Sequence, residues 1–598
     1  MAESYKSRAD VPERYTWDTS GLFAGDEAAG AAFEAAQALP AELESWKGRA
    51  LESAEGLLAF LRLEDEVTLK VARLYEYAAR KADEDTRVGR YQDMLARQRS
   101  LMASVDAAKS WFEPALLSLD EATLDAWCEE CEGLGTYRRA LDKIRALAKH
   151  VLTPELEALL AKAQEMAASP EVGFSMLNDA DLRFADALDS KGEAHPITHG
   201  SYGTALISPD RTLRENAYKS VYGSYRGVRN TSAALLAAQM KQLEFFATAR
   251  GYENTLDASL APTEVPRAVY ESLIESVHRN APAMHRYMAL RARALGLEQA
   301  RYWDVYVPIV KMPERRYSFE EACDLMLEAL APLGEDYLAV VRRAIDERWI
   351  DVYETPGKAS GAYSSGGRGL TPLILLNFMG TLEDVFTLVH EMGHSLHTYL
   401  ASKAQPTRYA DYEMFVAEVS STTNEMLLMR YLLDHAADDA ERAYLLDDLC
   451  GKFKGTLYRQ TMFAEFEMLA NDASQAGEGV GAEANSRRYR ALNELYYGPA
   501  VLTDEDIALE WSRIPHFYYD YYVYVYATSF AAAVALSDKI LADGAPAVER
   551  YLGFLAGGSS KPPLELLAGA GVDMASGKAV DDALVRFGQV VDELDSLI

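Results

Sequence analysis

The sequence predicts a mostly α-helical protein with one small β element, set directly before the helix that carries its most informative motif. Three observations predict this. Apolar residues recur at three- and four-residue spacing over 57–81, 155–168 and 233–249, the period of one buried helix face. Glycine and proline are modest, 38 and 21 in 598 residues, so long structureless connections are not expected. The one glycine-rich stretch, 357–380, ends in the apolar run Thr371-Pro-Leu-Ile-Leu-Leu-Asn-Phe378, and turns followed by such a run suggest a strand.

Along the chain, residues 1–115 read as an N-terminal helical region. Residues 116–190 read as a second helical subdomain with a weak break at Ser169-Pro170, and 198–585 as the domain that holds the motif helix. Thr381 followed by Asp384 resembles a capping box, so a helix should start there. The uncharged run 521–537, bounded by Asp520 and Asp538, touches the lower length for a membrane span. Its tyrosines and alanines fit a buried helix better. Gly477-Glu-Gly-Val-Gly481 is a loop. Gly553 to Lys561 lacks the strand and lysine placement of a phosphate loop.

Composition excludes several function classes. Net charge is −32, which disfavours nucleic-acid phosphates and anionic membrane surfaces. No nucleic-acid or membrane partner is therefore expected. The first residues lack the apolar core of a secretory signal, so a cytoplasmic protein is expected. Four cysteines are too few for a disulfide scaffold. Cys128 and Cys131 have C-x-x-C spacing, but acidic neighbours should raise their thiol pKa, and a redox role is set aside. Oligomeric state leaves no signal in the sequence.

The chemistry is concentrated in Thr381-Leu-Glu-Asp-Val-Phe-Thr-Leu-Val-His390-Glu391-Met-Gly-His394-Ser-Leu-His397. On a helix, His390 and His394 lie one turn apart on one face, close enough to share a metal. Glu391 sits about 100° further round, placed for a metal-bound water rather than the metal. This is the H-E-x-x-H arrangement of zinc proteases. Catalytic zinc takes three protein ligands and leaves one position open. His397 is one candidate for the third. Glu418 and Glu425, two turns apart on the following helix, are others. One can bind metal and the other can accept an imidazole N–H; spacing alone leaves the choice open.

A later segment, Ile514-Pro-His516-Phe-Tyr518-Tyr519-Asp-Tyr521-Tyr522-Val-Tyr524-Val-Tyr526, concentrates hydroxyls beside a histidine. Most such rings pack. One or two hydroxyls with His516 can serve the oxyanion formed when water attacks a peptide carbonyl.

Taken together, His390-Glu-Met-Gly-His394, Phe415-Val-Ala-Glu418-Val-Ser-Ser and Ile514-Pro-His516-Phe-Tyr-Tyr resemble the oligoendopeptidase F family of the thimet-oligopeptidase superfamily. Tyr15-Thr-Trp17-Asp18, Ala249-Arg-Gly-Tyr-Glu-Asn254 and Gly557-Gly-Ser559 through Ala570-Gly-Val-Asp-Met574 extend the likeness over nearly the whole chain. The resemblance implies a large helical two-lobed fold enclosing a deep substrate channel. It implies one Zn2+ per chain held by His390, His394 and Glu418, with Glu425 behind a histidine and Glu391 as general base. His516 and Tyr524 match the stabilisers of the transition state, with Tyr518 and Tyr519 as further catalytic candidates. Substrate backbone is expected to add as a strand along the glycine-rich segment, Gly361 and Tyr363 included, and along 371–378. The implied activity is hydrolysis of internal bonds in short peptides. The rivals are a related zinc carboxypeptidase or dipeptidyl carboxypeptidase, and an inactive helical peptide-binding protein.

Overall fold

Each periodic stretch folds as a helix, and two of the three begin where a side chain accepts the first free amides. The computed structural model describes residues 5–311 and 315–598, and about 70% of the chain is helical. Residues 57–81 lie inside the helix Ala54–Glu84, which Ser53 caps by accepting the Gly56 N–H. Residues 155–168 form Pro154–Ala167 with proline in the first turn. Residues 233–249 end the helix Arg211–Ala249, capped by Asp210.

The chain forms two compact units. One comprises Met1–Val151, Glu314–Tyr431 and Leu536–Gly571; the other comprises Leu152–Pro313, Leu432–Ala535 and Val572–Ile598. This spatial division cuts across the linear one: the expected region 198–585 contributes to both units, and 116–190 is split near Val151.

In the first unit the N-terminal helices enclose their own core, including Leu57, Phe60, Leu61, Leu116 and Leu134. Beside them stands the expected β element, a three-stranded sheet. Its central strand Leu370–Leu375 pairs parallel with Ile350–Asp351 and antiparallel with Tyr363–Gly367. The hairpin register sets Ser364 opposite Ile374 and breaks between Ser365 and Gly367. Gly366 is needed at that break, because a Cβ there would lie 2.7 Å from Pro372 Cα. Ile374 and Leu375 are thus paired on both sides, and the edge strand of the hairpin is Tyr363–Gly367. The loop leading into the hairpin is anchored by Lys358. Its buried ammonium meets the Asp351 carboxylate at 2.8 Å and donates to the Tyr353 carbonyl. The helix Ala54–Glu84 supports the edge strand through Glu76, which accepts the Ser365 hydroxyl, and Asp83, which accepts the Tyr363 hydroxyl.

The second unit is built on Arg211–Ala249, Arg267–Ala294, Arg459–Gln475, Ala482–Tyr497 and Lys578–Leu597. Aromatic rings dominate its interior; Tyr218, Tyr222, Tyr270, Tyr287, Tyr489 and Tyr496 are fully buried. The run 521–537 becomes a helix only from Tyr524, spanning Tyr524–Asp543. Asp520 and Tyr521 have φ of 52° and 61°, a left-handed kink that no helix can include. Among the described residues this is one helix long and apolar enough to cross a membrane, and 67% of its window is buried.

Candidate active site

The helix Leu382–Ala404 starts at the expected residue. Thr381 Oγ1 accepts the Asp384 N–H at 3.1 Å, and the Asp384 carboxylate accepts the Thr381 N–H at 2.7 Å. Two turns on, His390 Nε2 and His394 Nε2 come within 3.1 Å of each other. Gly393 explains how the next helix reaches them. A Cβ there would lie 2.6 Å from Ser421 Cα, so only glycine lets the helix Met414–Asp434 pass this close. Ser420 Oγ donates to the Gly393 carbonyl at 2.8 Å, and Asn424 Nδ2 donates to the Val389 carbonyl. Both hydroxyl and amide are fully buried.

That crossing delivers two carboxylates. Glu418 Oε2 lies 3.3 Å from His390 Nε2 and 3.4 Å from His394 Nε2. Glu425 Oε1 lies 2.7 Å from His390 Nδ1. Glu418 thus shares a face with both histidines, and Glu425 stands behind one. Burial disfavours charge on His390, yet its hydrogen bonds to Glu418 and Glu425 prevail and push its pKa up to about 10. Burial likewise acts on Glu418, but the two histidines hold it well below the usual carboxylate range. The cluster thus favours positive charge between its three donors. Their separations of 3.1–3.4 Å also suit a cation: four bonds of about 2.0–2.1 Å in a tetrahedron set donors about 3.3–3.4 Å apart. The residues fit a metal by donor chemistry and by spacing.

Glu391 is buried beside this cluster. It accepts the Ser364 N–H of the edge strand, and its Oε2 makes no hydrogen bond. Burial, only partly offset by His390 and His394, raises its pKa. Ser364 Oγ and Ser395 Oγ, 2.7 Å apart, fasten the edge strand to the helix. His397 is fully buried instead, its ring stacked on Tyr412 at 3.7 Å and its pKa pushed down to about 3 by burial. It belongs to the packing, not to the donor set. Tyr363 is bound by its hydroxyl to Asp83 and by its ring to Arg80, so only its backbone can serve a substrate. Gly361 is left-handed, and its carbonyl accepts from Asn377.

The tyrosine segment lies in the second unit and separates into two groups. His516, half-buried with its pKa lowered by burial and then by Arg459, is ringed by Tyr519, Tyr522 and Tyr526 at 5.6, 6.3 and 6.0 Å. Tyr522 and Tyr526 are themselves 5.2 Å apart. Tyr518 and Tyr524 belong to the interior. Tyr518 stacks on Phe174 at 4.5 Å, and Tyr524 packs on Tyr270 at 5.1 Å with its hydroxyl bonded to Thr263. The physical reason is the kink at Asp520–Tyr521: it resets the phase between His516 and the helix that follows. The resemblance points to Tyr524 and not to Tyr522 and Tyr526, whose four-residue separation was the available signal. Cys128 and Cys131 form no disulfide, and burial raises the pKa of the Cys128 thiol.

Comparison with known proteins bears on this site. The profile of Peptidase family M3 matches residues 205–586, and that of Oligopeptidase F matches 116–184. The chain is 41% identical to oligopeptidase PepF of Bacillus subtilis over 100% of this chain and 90% of that protein. It is 39% identical to group B oligopeptidase PepB of Streptococcus agalactiae over 99% and 98%. Among solved structures, oligoendopeptidase-F from Enterococcus faecium is similar, with a TM-score of 0.75 and 37% identity over 94% of this chain and 98% of that one. A peptidase from Chlamydophila abortus has a TM-score of 0.91 and 34% identity over 99% and 100%.

Proposed function

The chain belongs to peptidase family M3, and from that membership we propose that it is a zinc-dependent endopeptidase cleaving internal bonds of short oligopeptides in the cytoplasm. One zinc ion per chain would be held by His390, His394 and Glu418. The observation that carries the reading is the convergence of those three donors at 3.1–3.4 Å beside a buried carboxylate with an unbonded oxygen. When bound, zinc lowers the pKa of a water and polarises the scissile carbonyl.

Everything else is done by the protein. Glu425 accepts the His390 Nδ1–H, which fixes the tautomer and turns the Nε2 lone pair toward His394 and Glu418. Glu391 takes a proton at Oε2 and returns it to the leaving amine, and its burial, which raises its pKa, favours holding that proton in between. We assign oxyanion stabilisation to His516 with Tyr522 and Tyr526, in place of Tyr524 and Tyr518. Tyr519, 47% exposed beside His516, is assigned to substrate contact. Peptide backbone adds to the free edge Tyr363–Gly367, next to Gly361, since that strand donates directly to Glu391.

The test is metal analysis together with digestion of a peptide blocked at both ends. One zinc per chain and internal cleavage that a chelator abolishes support the reading. Trimming confined to free C-termini points to a carboxypeptidase, and full activity after verified metal removal sinks it.

A further inference from the structure

The kink in the tyrosine segment is unusual in its chemistry. Four non-glycine described residues have positive φ, and only Asp520 and Tyr521 are adjacent. Bulky residues hold such backbone only where surrounding contacts over-determine it.

Those contacts are present on every side. The Tyr521 N–H donates to Glu467 Oε1 at 2.8 Å. The Tyr521 hydroxyl meets Thr255 Oγ1 at 2.6 Å, and Thr255 is itself held by Gln475 through two hydrogen bonds. Ser259 Oγ donates to the Asp520 carbonyl at 2.6 Å, and Gln239 Nε2 donates to the Tyr518 carbonyl and the Asp520 carboxylate. Glu467 stands apart in this clamp. It is a carboxyl group buried in the second unit, among the described residues it has no ion-pair partner, and its Oε2 makes no hydrogen bond. Burying such a group is unfavourable, and its one bond goes to the backbone of the kink. Immediately after the kink, Tyr522 and Tyr526 close around His516, while Tyr521 turns inward onto Tyr270.

We propose that Glu467 is a positioning residue for the peptidase reaction: by accepting the Tyr521 N–H it fixes the left-handed kink that sets Tyr522 and Tyr526 around His516. The inference rests on the reading of those three side chains as oxyanion donors. Glu467 touches no substrate; it acts through them, and what it supplies is a hydrogen-bond acceptor rather than a charge.

The test is steady-state kinetics on an internally quenched short peptide, with zinc content measured for every variant. Glu467→Gln keeps the acceptor and should retain kcat within about threefold. Glu467→Met keeps the volume and deletes the acceptor; kcat should fall roughly 10- to 100-fold, with KM and zinc unchanged. In a Tyr522→Phe/Tyr526→Phe background the same change should cost less than about threefold, because the groups it positions are gone. Should Glu467→Met fold poorly, Ser259→Ala, which removes a half-buried contact to the same kink, should give a smaller loss of the same kind. Wild-type kcat in folded Glu467→Met, no rescue by Gln, or an equal loss in both backgrounds overturns the proposal. If the double Phe variant itself keeps wild-type kcat, the oxyanion reading fails and the proposal falls with it.

Discussion

The H-E-x-x-H helix and the tyrosine segment carry comparable densities of polar, titratable side chains, but they place them by different means. On Leu382–Ala404 the position of each residue follows from helical phase, and the neighbouring helix is pinned by Gly393, Ser420 and Asn424. Between His516 and Tyr524 there is no continuous phase. A short 3-10 turn, Pro515–Tyr518, runs into two left-handed residues before a helix begins. Regular backbone converts spacing into geometry; a kink held by distant contacts does not. The first region should therefore tolerate little change at the reacting groups but be insensitive to remote ones. The second should respond to residues far along the chain.

The sharpest division lies within the first region. Glu391→Gln should lower kcat by at least about 100- to 10,000-fold, the range for a lost general base, while zinc stays bound. Glu418→Ala should lose zinc. Kinetics alone will not separate the two; metal content per chain will. If Glu391→Gln releases metal and Glu418→Ala keeps it, the roles are reversed and helical phase has misled.

The second region is tested by deleting hydroxyls one at a time. Tyr522→Phe and Tyr526→Phe should each cost roughly 100-fold in kcat, typical of one oxyanion donor, with little change in melting temperature. Tyr524→Phe should keep kcat within a few-fold and lower stability instead, because its hydroxyl is bonded to Thr263 in the interior. A large kcat loss for Tyr524→Phe with the other two unaffected would show that the kink does not set the phase.

This contrast explains what was legible. The helical class, the start of the motif helix at Thr381 and the β element before it follow from period, cap and glycine punctuation, all local signals. The pairing of Glu418 with both histidines needed more: seven-residue spacing puts Glu418 and Glu425 on one face, but their division of labour depends on how Gly393 lets the helices cross. His397 shares the histidines' helix yet turns into a stack with Tyr412, which its spacing from His394 does not reveal. That Ile374 and Leu375 are central positions is hidden for a similar reason, since it depends on Ile350–Asp351, about 20 residues upstream. The tyrosines were least legible, because the groups that bend them, Gln239, Thr255, Ser259 and Glu467, are scattered over more than 200 residues.

A finer test of the first region is Glu425→Ala. It leaves all three donors in place and removes only the acceptor behind His390. Metal affinity should fall about 10- to 100-fold, seen as zinc loss at chelator concentrations that wild type withstands. An unchanged affinity would mean that the helix alone holds the imidazole.

The smallest effect probes the second region through pH. Burial, raised further by Asp520 and only partly offset by the Tyr521 N–H, pushes the Glu467 pKa up to about 8; in the unfolded chain it is about 4.3. Between those values the folded protein binds the proton and the unfolded chain does not, so stability contributed by this group is full below about pH 4.3 and declines as pH rises through about 8. Asp520, itself raised to about 6 by burial, faces Glu467 and titrates inside the same window, so wild type alone cannot isolate the term. Glu467→Gln can, because it keeps the Tyr521 bond and cannot ionise. Its melting temperature should match wild type near pH 5 and exceed it by ~2 °C at pH 8. A constant difference across that range would show that Glu467 is already ionised in the folded protein. The kink would then be held by a charged acceptor, and Gln would no longer be its faithful substitute.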